Sequence, residues 1–425
     1  MGATITTADK ILKYVYTKRA LQNAVYKKNP AFAMLKKESG FDGRSLIHAI
    51  TYGNSNARNA QFAVAQSLAG INGAVANGVG AVAATDSGFN TDVNFTITRQ
   101  KNYAAYTIAQ ELLLAAKGDA SSFTKAVTQL VNGTLNTLNN DFGKEVFRNG
   151  TGAIGTVTVS TLTFTIGEAI VWIEKGMALV CAASDTGAIR GTTTATPMIV
   201  TSVNRSAGSF TVDANTDSCA TGDSVFIAGD RPTGATTTFS TRLKIAGFEA
   251  WNPVTAPSAS ENFFGVDRSV DVTRLSGHRL DVSALMPEEG YITGLAALGR
   301  EESDIDKIFT SYTDDKNLKL ALGSRAIVEY STVGDIGFES IKIRGPNGPV
   351  GVFPDRNAPV GYARGLTMSS WEYKHLGEFV NKGDAAGDGG MAREYRADSF
   401  YGQFSCYGNL ICYAPSQNIV LTLPT

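Results

Sequence analysis

The spacing of apolar residues changes several times along the chain, and each change marks a different kind of element. Phe123, Val127, Leu130, Leu135, Leu138, Phe142 and Val146 step by three to five, while Asn132, Asn136, Asn139 and Asn140 fall mostly elsewhere. This predicts one amphipathic helix of about 25 residues, roughly 38 Å long, with Asp119 or Ser121 as its cap. Gly133 and Gly143 each cost that helix about 1 kcal/mol relative to alanine, so burial of the stripe must outweigh them. Upstream, "SLIHAITYGN" and Asp92-Val93-Asn94-Phe95-Thr96-Ile97-Thr98 alternate with period two and predict the two strands of a long hairpin.

Between those strands, Asn59 to Thr85 carries no charge, yet Asn59, Gln61, Gln66, Ser67, Asn72 and Asn77 interrupt the run and Gly and Ala dominate the rest. Such a stretch is not expected to insert into a bilayer. A hairpin with so small-residued a tip cannot stabilise itself and is expected to pack on another copy of the chain. Residues 155–240 switch to short strands, "TVTVSTLTF", "MALVCAA", "MIVTSV", "GSFTVDA" and "DSVFIAG", with one small helix near Gly167–Glu174. They predict a compact barrel-like β domain inserted into the surrounding fold. Beyond Thr241, "VDVTRLSGHRLDV" alternates as a strand does, and "SDIDKIFTSY" places Ile305, Ile308, Phe309 and Tyr312 on one helical face. "ESIKIRGPNGPVGVFPD" reads as a hairpin turning at Pro346-Asn347-Gly348, and the tail is strand-rich, with Cys406 and Cys412 able to share a strand face.

Composition adds that the 425 residues are globular, 43% hydrophobic and only 18% charged, with net charge −1. No global field recruits nucleic acid or an anionic membrane. The exception is local: Lys10, Lys13, Lys18, Arg19, Lys27, Lys28, Lys36 and Lys37 stand against Asp9 and Glu38 in residues 1–40, a basic arm of +6. Four cysteines, Cys181, Cys219, Cys406 and Cys412, with no CxxC pair, read as reduced thiols, and the lysine-interrupted N-terminus lacks the pattern of a secretion signal.

Candidate chemistry is sparse. "RNGTGAIGT" spaces Gly150, Gly152 and Gly155 as G-x-G-x-x-G, but it follows the helix and precedes a strand, the reverse of a dinucleotide fingerprint, so Gly150 reads as a left-handed helix cap. His48, His278 and His375 are far apart. Ser276, His278 and Asp281 in "SGHRLD" lack a nucleophile elbow, and "GDAAGDGG" (383–390) lacks the spaced ligands of a calcium loop. No catalytic, cofactor-binding or metal-ligating set emerges, and the chain is expected not to be an enzyme.

The order of parts, together with "YAAYTIAQELLLAA", "TGDSVFIAGD", "ESIKIRGPNGPVGVFPDRNAPVGYARGL" and "GNLICYAPSQNIVLTL", resembles the major capsid proteins of tailed bacteriophages. The resemblance implies an α+β, Hong Kong 97-like fold with an all-β insertion domain. Its parts would be a basic N-terminal arm at 1–41, an extended loop at 42–104, and a spine helix with part of a peripheral domain at 105–154. An inserted β-barrel at 155–240 and the rest of the peripheral domain plus an axial domain at 241–425 would follow. It implies a structural protein of the virion, assembled in the host cytoplasm as hexameric and pentameric capsomers. A separate scaffolding protein, a portal and packaged double-stranded DNA held without sequence-specific contacts would be its partners, with no membrane. Lys27, Lys28, Arg44, Arg58, Phe62 and Arg99 are the expected intersubunit contacts. Some family members join subunits covalently through a lysine of the extended loop, but none lies between Asp42 and Thr98, so no such crosslink is expected. An encapsulin-like nanocompartment shell and a virion decoration or receptor-binding protein are the alternatives.

Overall fold

The computed structural model describes residues 29–54, 60, 90–111, 120–187, 189–190, 197–216, 218–231, 242–259, 261–300, 303, 305–323, 328–333, 336–346, 348–377, 381–383, 392–394 and 397–424. Helix α1 (Pro30–Met34) opens on a proline, tolerated there because a first-turn N–H has no helical partner. Strand β1 (Lys36–Ser39) then runs parallel to β20 (Trp371–His375). Strands β2 (Ser45–Gly53) and β3 (Thr91–Thr98) pair antiparallel, from Ser45 opposite Thr98 to Gly53 opposite Thr91. Strand β4 (Gln100–Ala109) pairs antiparallel with Ser399–Gly408 of β23 (Ser399–Cys412). The other edge of β23 takes β20, β21 (Asn381–Gly383) and β22 (Ala392–Arg393) in turn.

The inward residues of β4, alternating from Gln100 to Ile108, face helix α2 (Ala120–Phe147). The buried stripe of α2 is Val131, Leu135, Leu138, Phe142, Val146 and Phe147. Leu130, expected in that stripe, is 37% exposed and Val131 takes its place. Steps of three to five fit either register, and only the packing partner decides between them. Asn139, expected on the polar face, is 1% exposed because other asparagines bond to it, as described below. The side chains of Phe123 and Val127 lie outside the described residues.

A seven-stranded antiparallel sheet follows, in the order β5 (Ala153–Thr156), β11 (Ser224–Ile227), β8 (Ala178–Ala182), β9 (Met198–Asn204), β10 (Ser209–Val212), β7 (Thr163–Thr165) and β6 (Thr158–Ser160). Its two end strands, β5 and β6, are joined in the chain by Val157 alone, so the ends of the sheet must lie side by side. It owns a separate core, with Phe164 stacked on Phe210 at 5.4 Å over Ile154, Leu179, Met198 and Val225. Cys181 and Cys219 meet in that core as a disulfide, with Cα atoms 6.1 Å apart, which corrects the expectation of four reduced thiols. A separation of 38 residues carries no sequence signature of pairing; only the convergence of β8 with the turn at Asn215–Cys219 brings the sulfurs together. Cys406 and Cys412 are free and buried.

A third sheet orders β14 (His278–Asp281), β24 (Ile419–Thr422), β19 (Tyr362–Leu366), β15 (Lys307–Thr310), β18 (Gly348–Pro354), β17 (Ile336–Gly345) and β16 (Val328–Val333). Helices α3 (Pro287–Gly299) and α4 (Tyr312–Leu322) cover it, and Tyr291, Leu295, Leu298, Ile308, Leu318, Val352 and Leu421 fill the space between. Two expectations fail here. Ile308 and Phe309 lie in β15, not on a helix, because Ser311 caps α4 by accepting from the Asp314 N–H and so starts the helix only after the apolar run. Val272–Ser276 is a helical turn rather than a strand, since the Asp271 carboxylate accepts from the Arg274 N–H at 2.9 Å and Gly277, at φ 76°, ends it.

The thiols give a direct check. Denatured without reductant, the chain should titrate two cysteines, Cys406 and Cys412, and Cys219→Ser should lower unfolding free energy by about 2–4 kcal/mol; four titratable thiols would overturn the pairing.

Candidate functional site: the paired strands β2–β3 and their root

Period-two alternation gives β2 and β3 one buried and one open face. On the buried side Phe95 lies 5.3 Å from Trp251 and 6.1 Å from Phe263. Phe263 belongs to the small ribbon β12 (Asn262–Phe263) and β13 (Val266–Asp267), and the Thr96 N–H donates to the Phe264 carbonyl at 2.8 Å. Ile50 and Ile97 are buried beside them, and His48 meets Tyr413 edge-on at 4.7 Å. Burial, and then the charge of Lys374, push the His48 imidazole below its ordinary pKa, which keeps it neutral in this position. The Arg274 guanidinium donates to the Tyr52 carbonyl at 2.6 Å and holds the far end of β2.

Among the described residues, none covers the opposite face. Ile47, opposite Thr96, is 70% exposed, flanked by exposed Ala49, Thr51, Asn94 and Asp92. Of the expected contact residues, Arg44 and Arg99 meet at the root: the Arg99 N–H donates to the Arg44 carbonyl, and the Arg99 guanidinium donates to the carbonyls of Phe41 and Gly43 at 3.2 Å each. Arg99 thus fixes the strands to their own chain, while the Arg44 side chain is exposed. Lys27, Lys28, Arg58 and Phe62 lie outside the described residues, as does nearly all of Asn59–Thr85.

Sequence reasoning missed what anchors the segment entering the fold. Phe32 of α1 stacks on Phe142 of α2 at 5.3 Å, and the Lys37 ammonium donates to the carbonyls of Phe32, Ala33 and Leu35, closing the end of α1. Burial pushes Lys37 down to about 7, against which those three oxygens favour its charged form. Beside α1, Asn29 donates to the Asn139 carbonyl at 3.0 Å and to its side-chain oxygen, and Asn357 donates to Asn29 Oδ1 at 2.8 Å. The Asp355 carboxylate accepts from the N–H groups of Asn357 at 2.9 Å and Ala31 at 3.2 Å. A Cβ at Gly143 would stand 2.3 Å from Asn357 Nδ2 and 2.4 Å from Asn29 Oδ1, so glycine is required where the three segments meet. The available signals were Asn29 before Pro30 and the turn-forming "PDRN" at 354–357.

The G-x-G-x-x-G loop is explained by the same kind of packing. Gly150 and Gly152 have φ of 82° and 90°, and their α-carbons face Lys244, Ile245 and Asp230 carbonyls at a range that leaves a Cβ only 3.0–3.1 Å. A cleft of about 620 Å³ opens beside the loop, at the seam between the seven-stranded sheet and the body, lined by Arg148, Glu168, Trp172, Asp185, Glu249 and Arg356 among others. Glu168 is taken up by Thr313, and Trp172 Nε1 donates to Asn357 Oδ1 at 3.2 Å, so these residues tie the seam together. Among the described residues no His, Cys, Asp and Glu cluster could hold a metal ion, and no helix is long and apolar enough to cross a membrane.

No family model and no curated protein matches the chain. Among solved structures, several are similar to it over most of their length at low identity. The capsid asymmetric unit of cyanophage A-1(L) is 9% identical with TM-score 0.48, covering 93% of this chain and 92% of that one. The capsid of a native GTA particle is 9% identical with TM-score 0.42, over 95% and 91%. A virus-like particle from Pyrococcus furiosus is 10% identical with TM-score 0.34, over 95% and 97%.

Asp355 generates a pH prediction. Burial raises its carboxyl from 3.8 to about 6, against the hydrogen bonds from Asn357 and Ala31. A raised folded-state pKa contributes stability that is complete below about pH 4 and lost as pH rises to about 6, about 3 kcal/mol in all. Denaturant titrations from pH 4 to 7 should show that fall, and Asp355→Asn should flatten it; an unchanged slope in the variant would remove Asp355 as the cause.

Proposed function

We propose that this chain is a shell-forming structural protein, the major capsid protein of a tailed bacteriophage head. The observation that carries the reading is the β2–β3 arm. One face is fixed to the chain's own aromatic residues, and the other presents Ile47, 70% exposed, in a polar, charge-poor strip with none of the described residues upon it. A two-stranded sheet is marginal alone, and a surface built this way gains by being covered by a neighbour. In this reading residues 42–104 are the extended loop, α2 is the spine helix, and the β4–β23 sheet belongs to the peripheral domain. The seven strands between Ala153 and Ile227 are the inserted β-barrel, supported by their separate core and by the Val157 link between their end strands. The sheet from β14 to β24 is the axial domain. Hexameric and pentameric rings need two complementary surfaces per chain, since head-to-tail contacts close a ring. A near-neutral chain limits repulsion among its copies and encloses DNA without gripping it. The basic segment before Asn29, with Lys27 and Lys28, would meet a separate acidic scaffold, and a portal would admit the DNA.

Electron microscopy of the purified protein should show closed shells. Ile47→Asp should abolish them while changing subunit stability by less than about 0.5 kcal/mol, as expected of an exposed site. A protein that stays monomeric at high concentration, or shells unaffected by Ile47→Asp, would count against the reading; particles filled with enzyme cargo rather than DNA would point to a nanocompartment.

A further inference from the structure

Three arginines from separate stretches of sequence converge on the short helix Phe248–Trp251, its cap Asn252 and the Pro253 that follows. Arg268 donates to the Ala250 and Trp251 carbonyls and pairs with the Glu261 carboxylate. Arg279 donates to the carbonyls of Pro253, Gly277 and Ser276 and to the Ser276 hydroxyl, all of them neutral acceptors. Arg364, on β19, donates through Nη1 to the Asn252 carbonyl at 2.7 Å, but its Nε and Nη2 have neither a partner nor accessible surface. The Asn252 side chain is likewise unpartnered at both Nδ2 and Oδ1. Arg364 is 1% and Asn252 2% exposed. Of the three cations, only Arg268 forms an ion pair among the described residues.

We propose that Arg364 is the centre of a buried anion-binding site, reached from the seam cleft past Arg148 and Glu249, and that its ligand is a monatomic halide, chloride above all. Arg148 and Glu249 both line that cleft, and Arg148 Nε also lacks a partner. The Arg364 nitrogens are fully enclosed, which suits an ion of atomic size and rules against phosphate or a carboxylate-bearing ligand. Chloride accepts from guanidinium and amide N–H groups without a fixed geometry and sheds water more easily than fluoride does.

The surroundings call for a negative charge there. Arg364 stands opposite Phe309 of β15 and shares its face of the sheet, where Phe309 stacks on Phe248 at 6.4 Å. Burial pushes the Arg364 guanidinium down and the Arg148 charge adds to this, against the pull of Glu249. Burial, and then the charge of Arg268, push Arg279 down to about 10, with Arg364 repelling it too and Glu261 opposing. An arginine nevertheless keeps its proton, so the shortage of negative charge has to be met from outside the side chain. Water satisfies N–H groups but not charge. A chloride on Arg364 offsets the repulsion among the arginines and pins the Phe248–Asn252 turn to β19. Glu249 works against it, since its carboxylate already favours Arg364 and repels a second anion.

The site lies inside one chain, away from β2–β3, and does not depend on the shell reading. The probe is chloride itself, followed by its chlorine NMR line width over the purified full-length chain. Excess broadening should saturate as sodium chloride replaces sodium gluconate at constant ionic strength, and bromide should compete it away. Urea unfolding midpoints should rise along the same saturation curve. Glu249→Gln, at a partly exposed position, should lower the half-saturating chloride concentration about tenfold by removing a nearby like charge. Arg364→Gln should abolish both the broadening and the chloride-dependent rise. Wild-type midpoints that do not distinguish chloride from gluconate, the outcome for a bound water, overturn the proposal. So does broadening that persists in Arg364→Gln, which would put the ion elsewhere on the chain. Should Arg364→Gln fail to fold, Glu249→Gln decides, and an unchanged half-saturation overturns the proposal as well.

Discussion

The last three turns of α2 are approached at backbone distance from several sides, and the rest of the body is arranged around that constraint. Gly143 admits Asn29 and Asn357 on one side. Gly247, whose Cβ would stand 2.3 Å from the carbonyls of Glu145 and Val146, lets the chain after the seven-stranded sheet cross the helix end. Phe142 receives Phe32, and Phe147 meets Phe248 edge-on at 5.4 Å. A helix so enclosed needs small residues at its crossings and satisfied polar groups at its flanks, because a buried amide or carboxylate without partners costs several kcal/mol. The Asn29–Asn139–Asn357 and Asn102–Glu145–Lys244 networks meet most of that need on two sides of the same helix, with Asn139 Nδ2 and Glu145 Oε1 left without a hydrogen bond.

From that hub the structure divides by core. The aromatic cluster around Trp251, Phe248 and Trp371 belongs to the hub and the strand arm, the Tyr291–Leu318–Leu421 cluster to the β14–β24 sheet, and the Phe164–Phe210 cluster to the seven-stranded sheet. Buried arginines join the hub to its loops. Arg268 donates to the carbonyls of Ala250 and Trp251 and lies 4.0 Å above Phe263, while Arg364 donates to the Asn252 carbonyl at 2.7 Å. The two guanidinium groups thereby satisfy carbonyls at the C-terminal end of the short helix Phe248–Trp251 and its cap, which lack helical partners.

Where one face of an element is buried and the other wet, its period was legible. This holds for β2, β3, the helix at 120–147 and the short strands from Ala153 onward. The misplacements have a common origin. Leu130 against Val131, and the strand at Ile308–Phe309, are places where a short apolar run fits two geometries, and a cap or packing partner distant in sequence chooses. Asn139, Asn357 and Glu145 were illegible as core because a polar residue is buried only when its partners are, and those lie more than 40 positions away. The Cys181–Cys219 bond is hidden for the same reason. Arg99, named among the expected intersubunit contacts, bonds to the carbonyls of Phe41 and Gly43 of its own chain, which follows from how the root of β2–β3 closes.

The single residue between β5 and β6 also bears on solubility. An open sheet offers its border strands as templates on which another chain can add itself, and crowding of identical copies makes that error more frequent. Here Val157 exchanges backbone hydrogen bonds with Gly222 and Asp223, and the Val159 N–H is taken by the Thr221 hydroxyl, so the turn at 221–223 covers the point where the two borders meet. A stretch rich in threonine and valine thus has the meeting point of its borders paired within the chain, where a second copy would otherwise begin to add.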